Sequence, residues 1–205
     1  MAASTSAEPA GRPSRREEIL SAAAEVIAER GFKGATVRDI GDAAGMLSGS
    51  LYYHFESKEQ IVLDLLLPSV EAQYEEAVSL RAAAASETEA LQQLIRSSVI
   101  TSSKNPHKTV ILRNSGRTFE EYKLLAPISN IRRDSLALWT DVLAKGIANG
   151  EFRDDMDPSV VVHGLLDGIL GAARWFTHPP IADPEHVIES LTLLYVSGLQ
   201  GSAKS

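Results

Sequence analysis

A short run of small polar, aromatic and basic residues lies between residues 48 and 58. Small residues at the start of a helix allow it to approach the base edges in the major groove of DNA. Phenol and imidazole groups can donate hydrogen bonds to phosphate oxygens, and their rings can contact a thymine methyl group. A lysine at the start of the next helix adds a cation beside the positive end of the helix dipole. The residues that would do this chemistry are Ser48, Gly49, Ser50, Tyr52, Tyr53, His54 and Lys58.

Other kinds of chemistry find little support in the sequence. The carboxylates Asp154, Asp155 and Asp157 fall in a predicted loop, and the five histidines are scattered without the spacing of metal ligands. We therefore predict no catalytic residue, no metal and no cofactor. The chain has no cysteine, which excludes disulfides and thiolate chemistry and is typical of a cytoplasmic protein.

Charge is distributed unevenly along the 205 residues. There are 20 Lys and Arg against 27 Asp and Glu, and the net charge of −7 by itself disfavours binding to phosphates. From Arg12 to Lys58, however, seven basic residues balance seven acidic ones, so the excess acidity lies elsewhere. The first quarter is therefore electrostatically different from the rest. The overall composition is that of a soluble globular protein, without an apolar stretch long enough to span a membrane.

The elements that would position the polar run are predicted from the spacing of apolar residues. Residues 15–30 show apolar positions at helical intervals, and Gly31 supplies a stop. Thr36 is a suitable N-cap for a short second helix that ends at Gly45. A third short helix over residues 49–55 would then carry the polar run.

The rest of the chain is predicted to be helical as well. Ser57 would cap a fourth helix that meets Pro68, where we expect a kink or a break, because proline removes a backbone hydrogen bond. Later helices are predicted from Ser86 to Asn105, over residues 110–119 and 128–149, and from Asp157-Pro158 and Asp183-Pro184 onwards. No segment alternates with period two for long, so the fold class is all-α, with about nine helices.

One segment closely resembles the DNA-binding domain of the TetR family: TVRDIGDAAGMLSGSLYYHFESK, from Thr36 to Lys58. The resemblance implies a three-helix helix-turn-helix domain at residues 14–62, with Leu51 and Phe55 in its core. It also implies a helical effector-binding and dimerisation domain at residues 63–205. The Ala-, Ser- and Pro-rich residues 1–13 are predicted to be a disordered leader. The function implied is a ligand-responsive repressor; an activator of the same family, or a helical interaction module that does not touch DNA, is the alternative.

The resemblance implies roles for single residues of the head, as residues 14–62 are called below. Phosphate contacts fall on Thr36, Tyr53, His54 and Lys58, and base contacts fall on Arg38, Ser48, Ser50 and Tyr52. The alternative is that both tyrosines are core aromatics and that the threonine is only a cap. Three arginines would either form an arm on the DNA or belong to an unbound leader: Arg12, Arg15 and Arg16.

The last two predicted helices are apolar around much of their circumference and must be buried on most sides. Gly164, Gly168 and Gly171 lie three or four residues apart, and each costs the helix up to about 1 kcal/mol relative to alanine, so close packing is expected there. The resemblance implies a homodimer interface at these helices, including Leu191 and Leu194. Two heads on a two-fold axis would match a pseudo-palindromic operator. The alternative is close packing within one subunit.

Polar and aromatic groups set among apolar helices are candidates for binding a small amphipathic or apolar effector. Arg113 or Arg117 would hold an anionic head group, and Trp139 an apolar body. The other candidates are Asn114, Tyr122, His163, Arg174 and Trp175. For each residue the alternative is a surface charge or an ordinary core side chain. The stretch Arg174-Trp175-Phe176, followed by Pro179-Pro180, resembles regulators of lipid or steroid catabolism but is too short to indicate an effector.

Overall fold

The computed structural model describes residues 13–177 and 183–200, and within them the chain is helical, without strands. The helices are α1 (Arg15–Gly34), α2 (Val37–Ala43), α3 (Ser48–Leu51), α4 (Lys58–Ala83), α5 (Glu87–Lys104), α6 (Pro106–Phe119), α7 (Ala126–Ala148), α8 (Pro158–Thr177) and α9 (Pro184–Thr192). A 3-10 turn (Lys123–Leu125) precedes α7, and a π-helical segment (Leu193–Ser197) follows α9. The all-α prediction is confirmed. Residues 1–12 of the predicted leader, and Pro179-Pro180, lie outside the described residues.

Several helices start at caps that the sequence predicted. Ser57 Oγ accepts a hydrogen bond from the amide of Gln60 at 3.1 Å. The carboxylates of Asp157 and Asp183 accept bonds from the amides two residues further on, at 2.8 and 2.9 Å. Such bonds satisfy donors that would otherwise be unpaired at a helix N-terminus. None of the described helices has the length and apolar character that crossing a bilayer requires.

The expected break of the fourth helix at Pro68 is wrong, whereas the alternative of a kink there stays a prediction. Helix α4 continues through this proline and is 26 residues long in all. Leu66 and Val70 on either side of it are buried, and Lys108 Nζ of α6 donates to Ser69 Oγ at 2.8 Å. Packing on both halves of α4 therefore outweighs the cost of a proline inside a helix, about 3 kcal/mol.

The core consists of two clusters of buried residues. One contains the apolar residues of α1 to α3 and the start of α4, and it also includes Ile111, Phe119, Leu125 and Ile128 from α6 to α7. The other lies among α5, α7, α8 and α9. The core of the head thus continues into the second domain.

The contact between Phe32 and the end of α6 shows this continuity most clearly. The Phe32 ring packs edge-on against Phe119 and Tyr122, with ring centres 5.6 and 5.1 Å away. Lys33 Nζ lies 2.8 Å from a carboxylate oxygen of Glu121. The C-terminal end of α1 is therefore joined to the second domain by an aromatic cluster and an ion pair.

Candidate nucleic-acid interface

Helix α2 is fixed at its start by a reciprocal cap. Thr36 Oγ1 accepts from the Asp39 amide at 3.1 Å and donates to the Asp39 carboxylate at 2.6 Å, which also accepts from the Thr36 amide at 2.9 Å. These bonds to Thr36 lower the pKa of the Asp39 carboxyl group. The Thr36 hydroxyl thus serves as a helix cap, and its contact with a phosphate stays a prediction.

The turn between α2 and α3 depends on two glycines. Gly45 adopts a φ of 64°, in the left-handed region that favours glycine. A Cβ on Gly41 would lie 3.1 Å from the carbonyl oxygen of Met46 and 3.3 Å from Cα of Ser48. The absence of a side chain at Gly41 therefore lets α3 pack closely against α2. The sequence indicated Gly45 as a stop but contained no sign of the role of Gly41.

Helix α3 is shorter than predicted and ends at Leu51, after one turn. The next residues form a turn in which the amides of Tyr53 and His54 donate to the carbonyls three residues earlier. Leu51 and Phe55 are buried in the core, as predicted. This spacing leaves the residues between them on the surface.

Most of the side chains predicted to contact DNA are exposed on the surface of the head. Tyr52 is 58% exposed and Tyr53 90% exposed, so neither is a core aromatic. The other exposed members are Thr36, Arg38, Gly49 and His54, whereas Ser48, Ser50 and Lys58 are half-buried. Leu47 is also exposed here, immediately before α3, and sequence reasoning did not identify it. An apolar residue there can contact a thymine methyl group.

Lys58 is engaged inside the head. Its Nζ donates to the carbonyl oxygens of Phe32 at 2.6 Å and Ala35 at 2.8 Å, and it lies 4.6 Å from the centre of the Phe32 ring. Burial lowers the pKa of the Lys58 ammonium group. The lysine thus fastens the start of α4 to the end of α1. A phosphate contact by Lys58 stays a prediction, and it would require these bonds to be exchanged.

The two described arginines of the predicted arm belong to the first turn of α1. Arg15 pairs with Glu18 at 2.6 Å and donates to the carbonyl of Ala44 at 3.1 Å. Arg16 contacts His54, Phe55 and Asp64. Both side chains bond to other parts of the head, and Arg12 lies outside the described residues.

A cavity of about 260 Å³ lies among α4 to α8 in the second domain. Two of the predicted effector-binding residues line it, Trp139 and His163. The other six do not: Arg113, Asn114, Arg117, Tyr122, Arg174 and Trp175. The polar lining residues that sequence reasoning missed are Gln73, Ser98, Ser102, Thr109, Arg132, Ser135 and Asp167. The angles at which the helices cross decide which residues face the cavity. The spacing of apolar residues alone therefore did not identify these polar residues.

Arg132 is the most unusual residue of this cavity. Its side chain is half-buried, and burial lowers the pKa of the guanidinium group, with Glu120 acting in the opposite direction. Within residues 13–177 and 183–200, it forms neither a hydrogen bond nor a salt bridge. Burial of a cation without a hydrogen-bonded counter-ion is costly, so an anion bound there would add to the partial compensation that Glu120 supplies.

The three glycines of α8 are exposed or half-buried, and each has a side chain of the same subunit within 4 Å of where a Cβ would lie. A Cβ on Gly164 would lie 3.6 Å from Tyr195 Oη, one on Gly168 would lie 3.8 Å from Leu191, and one on Gly171 would meet Arg113 at 3.9 Å. These are ordinary contact distances, so packing within the subunit does not by itself require glycine at these positions. Leu194 is nevertheless 67% exposed, and Leu191 is half-buried. The predicted dimer interface stays a prediction.

Comparison with known protein families gives matches over both parts of the chain. Residues 19–65 match the model of bacterial regulatory proteins of the TetR family. Residues 84–199, more than half of the chain, match the model of the tetracyclin repressor-like C-terminal domain. The two matches agree with the order of head and second domain described above.

Individual relatives are similar along almost the whole chain. The HTH-type transcriptional repressor KstR2 of Mycolicibacterium smegmatis is 32% identical over 202 residues, which cover 98% of this chain and 97% of the relative. The solved structure of the ketosteroid transcriptional regulator KstR2 of Mycobacterium tuberculosis has a TM-score of 0.82 and 31% identity, covering 94% of this chain and 98% of that one. The chain therefore belongs to the TetR family of bacterial regulatory proteins and is a DNA-binding transcriptional regulator.

Proposed function

We propose that this chain is a repressor that binds a pseudo-palindromic operator as a homodimer and releases it when a small amphipathic effector occupies the cavity of the second domain. The exposed edge of α3, held in place by the buried Leu51 and Phe55, carries this proposal. The relatives named above support the direction of regulation, since the one from Mycolicibacterium smegmatis is described as a repressor. Because the partner is the bacterial chromosome, the protein would act in the cytoplasm.

The start of α3 would enter the major groove. Ser48, Gly49 and Ser50 present little bulk there, and Arg38 of α2 is exposed beside them. These residues and Tyr52 would face bases, whereas Tyr53 and His54 would donate to phosphates on either side. The bonds of Thr36 and Lys58 within the head favour positioning roles for these two residues.

Replacing Tyr52 with alanine should reduce operator affinity and relax base preference. Removing one base contact costs about 1–3 kcal/mol, so affinity should fall by roughly ten-fold or more. The change should leave the salt dependence intact, because the number of neutralised phosphates stays the same. Fluorescence anisotropy with the intergenic DNA upstream of the gene, and with variants of its half-sites, measures both quantities.

Tyr53→Phe is the matched comparison, because it keeps the ring and removes only the hydroxyl. It should weaken binding to all sequences by a similar, smaller factor. Undiminished operator binding in both variants would contradict the proposed reading edge. A wild-type protein that fails to shift the upstream DNA would favour a helical interaction module instead.

The cavity fits an effector with an acidic end and an apolar body. Its walls include Leu112, Trp139 and Ile169. Arg132 supplies a cation that has no hydrogen-bonded counter-ion among the described residues, although the carboxylate Asp167 also lines the cavity. A volume of about 260 Å³ is close to the lower limit of small-molecule sites, roughly 300 Å³, which favours one compact ligand. The solved relative is described as a ketosteroid transcriptional regulator, so steroid-derived carboxylic acids are the first compounds to test.

Two helices connect this cavity to the head. Helix α4 begins at Lys58 in the head and lines the cavity with Val70 and Gln73. Helix α6 lines the cavity with Thr109 and ends at Phe119, which packs on the head. An effector that binds the DNA-incompetent arrangement of these helices more tightly would release the operator. Coupling free energies of about 1–3 kcal/mol are typical of such systems.

Replacing Arg132 with glutamine should abolish the preference for acidic effectors. A charge-assisted bond with the guanidinium contributes about 1.5–3 kcal/mol, so affinity for a steroid carboxylate should fall by about ten-fold or more. Affinity for its methyl ester should change little. In a Trp175→Phe background, fluorescence of Trp139, the remaining one of two tryptophans, reports binding in the cavity.

Arg133→Gln is the control for this experiment, because Arg133 is an exposed neighbour on α7 that does not line the cavity. It should leave both affinities unchanged. Equal affinities of wild type and Arg132→Gln for the acid would contradict the assignment of the anion-binding residue. A compound that saturates the protein but leaves operator affinity unchanged would contradict induction through this cavity.

A further inference from the structure

The guanidinium of Arg16, on α1, contacts both the segment after α3 and helix α4. Arg16 lies in the first turn of α1, and its Nη1 donates to the carbonyl oxygen of His54 at 2.9 Å. Its Nη2 forms a salt bridge with Asp64 of α4. Its Cζ lies 4.3 Å above the centre of the Phe55 ring. Helix α1, the segment after α3 and helix α4 therefore meet at one side chain.

The segment that Arg16 contacts carries several of the proposed DNA-binding residues but has little packing of its own. Tyr52, Tyr53 and His54 follow α3 as a turn, and their side chains are exposed. A segment with few buried contacts and exposed hydrogen bonds opens more easily than a packed helix. Its C-terminal end is held by the buried Phe55 ring and by the bond to the His54 carbonyl, and Arg16 contributes to both.

The third interaction connects this segment to α4. The Asp64 carboxylate pairs with Arg16 and also accepts from Gln60 Nε2 at 2.7 Å. A guanidinium is a planar fork, so its two ends are oriented together by the acceptors that they bind. Asp64 on one end and the His54 carbonyl on the other thereby fix the turn after α3 relative to α4.

We infer, on the basis of the DNA-binding role proposed above, that Arg16 is a positioning residue for DNA reading. It holds the turn at residues 52–54 in register with α4 through Asp64, and it does not itself contact DNA. An arginine that binds a phosphate would behave differently, because the slope of log affinity against log salt decreases by about 0.9 for each phosphate that is no longer neutralised.

The test compares Arg16→Gln, Asp64→Asn and the double variant in operator binding over a range of salt. Arg16→Gln, which removes three contacts, should weaken binding by about ten-fold, and Asp64→Asn by about three-fold because solvent screens the partly exposed ion pair; neither should change the salt slope. The double variant should bind within about two-fold of the weaker single variant, because both changes break the same connection. Arg133→Gln removes a distant exposed charge and should change neither quantity.

Hydrogen exchange on the free protein provides a second readout that does not depend on DNA. The amides of residues 53–55 should exchange about ten-fold faster in Arg16→Gln, while those of the buried α5 helix keep their rates. Arg16→Lys keeps the charge but not the fork, so it should also accelerate exchange at 53–55. It serves as the variant of choice if glutamine unfolds the head.

Three outcomes would overturn the positioning role. They are unchanged operator affinity in the folded variants, a salt slope that falls by about one per subunit in Arg16→Gln, and unchanged exchange at residues 53–55. If the wild type binds no operator, the proposed function fails, and the exchange rates still decide whether Arg16 holds the turn.

Discussion

Replacing Gly146 with alanine is expected to destabilise the protein by about 3 kcal/mol or more, the upper part of the range for overpacking. In most helices the same change is favourable by up to about 1 kcal/mol. Here a Cβ would lie 2.1 and 2.2 Å from Cδ2 and Cε2 of Phe152. The Phe152 ring is only 4% exposed, so it cannot move aside without opening the close-packed core.

The change should also loosen the connection between α7 and α5. The carbonyl of Gly146 accepts from the amides of Glu151 at 2.8 Å and Phe152 at 3.1 Å. The Glu151 carboxylate in turn accepts from the amides of Thr88 at 2.8 Å and Glu87 at 3.1 Å, at the start of α5. The bond from Thr88 is the main reason that the pKa of Glu151 is lowered. Displacing Phe152 would pull this turn away from α5.

Thermal and denaturant unfolding monitored by circular dichroism measure the effect. A loss of about 3 kcal/mol should lower the Tm by roughly 6–12 °C in a protein of this size. Gly34→Ala is the control, because a Cβ there would meet only Arg30 Cβ at 3.9 Å. In a Phe152→Ala background Gly146→Ala should be almost neutral, since the clashing ring is absent. An unchanged Tm for Gly146→Ala in the wild-type background would contradict the clash.

Replacing Leu194 with aspartate should convert the protein to a monomer and reduce operator affinity by about a hundred-fold or more. In the proposed homodimer the exposed Leu194 is covered by the partner, and a carboxylate placed there would be buried without a counter-ion. Because the interface is two-fold symmetric, the change is present twice. A monomer cannot bind two half-sites simultaneously, which contributes about 10²–10⁴ to affinity.

Leu193→Asp is the matched control for this prediction. Leu193 is equally exposed, but its side chain shares a groove with Gln92 and Arg96 of α5. The aspartate there should leave the dimer intact. Sedimentation velocity at micromolar concentration gives the oligomeric state, and anisotropy gives operator affinity. A dimer that persists in Leu194→Asp, or operator binding unchanged in a monomer, would contradict the proposed interface.

Local signals in the sequence predicted the helices well. Apolar spacing and caps such as Asp157 and Asp183 act within one or two turns, and the structure places α8 and α9 accordingly. Pro68 misled the prediction, because the cost of a proline is local whereas the packing that offsets it comes from α6 and the core. The length of α3 was overestimated, because helical spacing does not distinguish a helix from a turn with bonds three residues back.

The exposure of the candidate DNA-contacting residues was predictable where it follows from the local spacing of buried residues. The exposed Tyr52 and Tyr53 lie between the buried Leu51 and Phe55, and this alternation is visible in the sequence. The surroundings of Lys58 and Arg132 depend on residues that are distant in the sequence. Such residues bond to Lys58 but give Arg132 no hydrogen bond within the described part of the chain. Lys58 meets carbonyls 23 and 26 residues away, and Arg132 is enclosed by helices that converge only in the folded chain. No pattern within a single helix indicates such surroundings.

The packing of Phe32 against Phe119 and Tyr122 has a consequence for the exchange of DNA specificity between regulators. In a chimaera joined at residue 62, Phe32 of the transplanted head would meet different side chains, or none, in place of Phe119 and Tyr122. The apolar surfaces of the head and of its new second domain would therefore not fit together. Truncating a buried phenylalanine costs about 3–5 kcal/mol of stability, so such chimaeras should be soluble only when the residues that contact Phe32 are transferred as well. The portable unit for engineering is therefore the head together with residues 119–125.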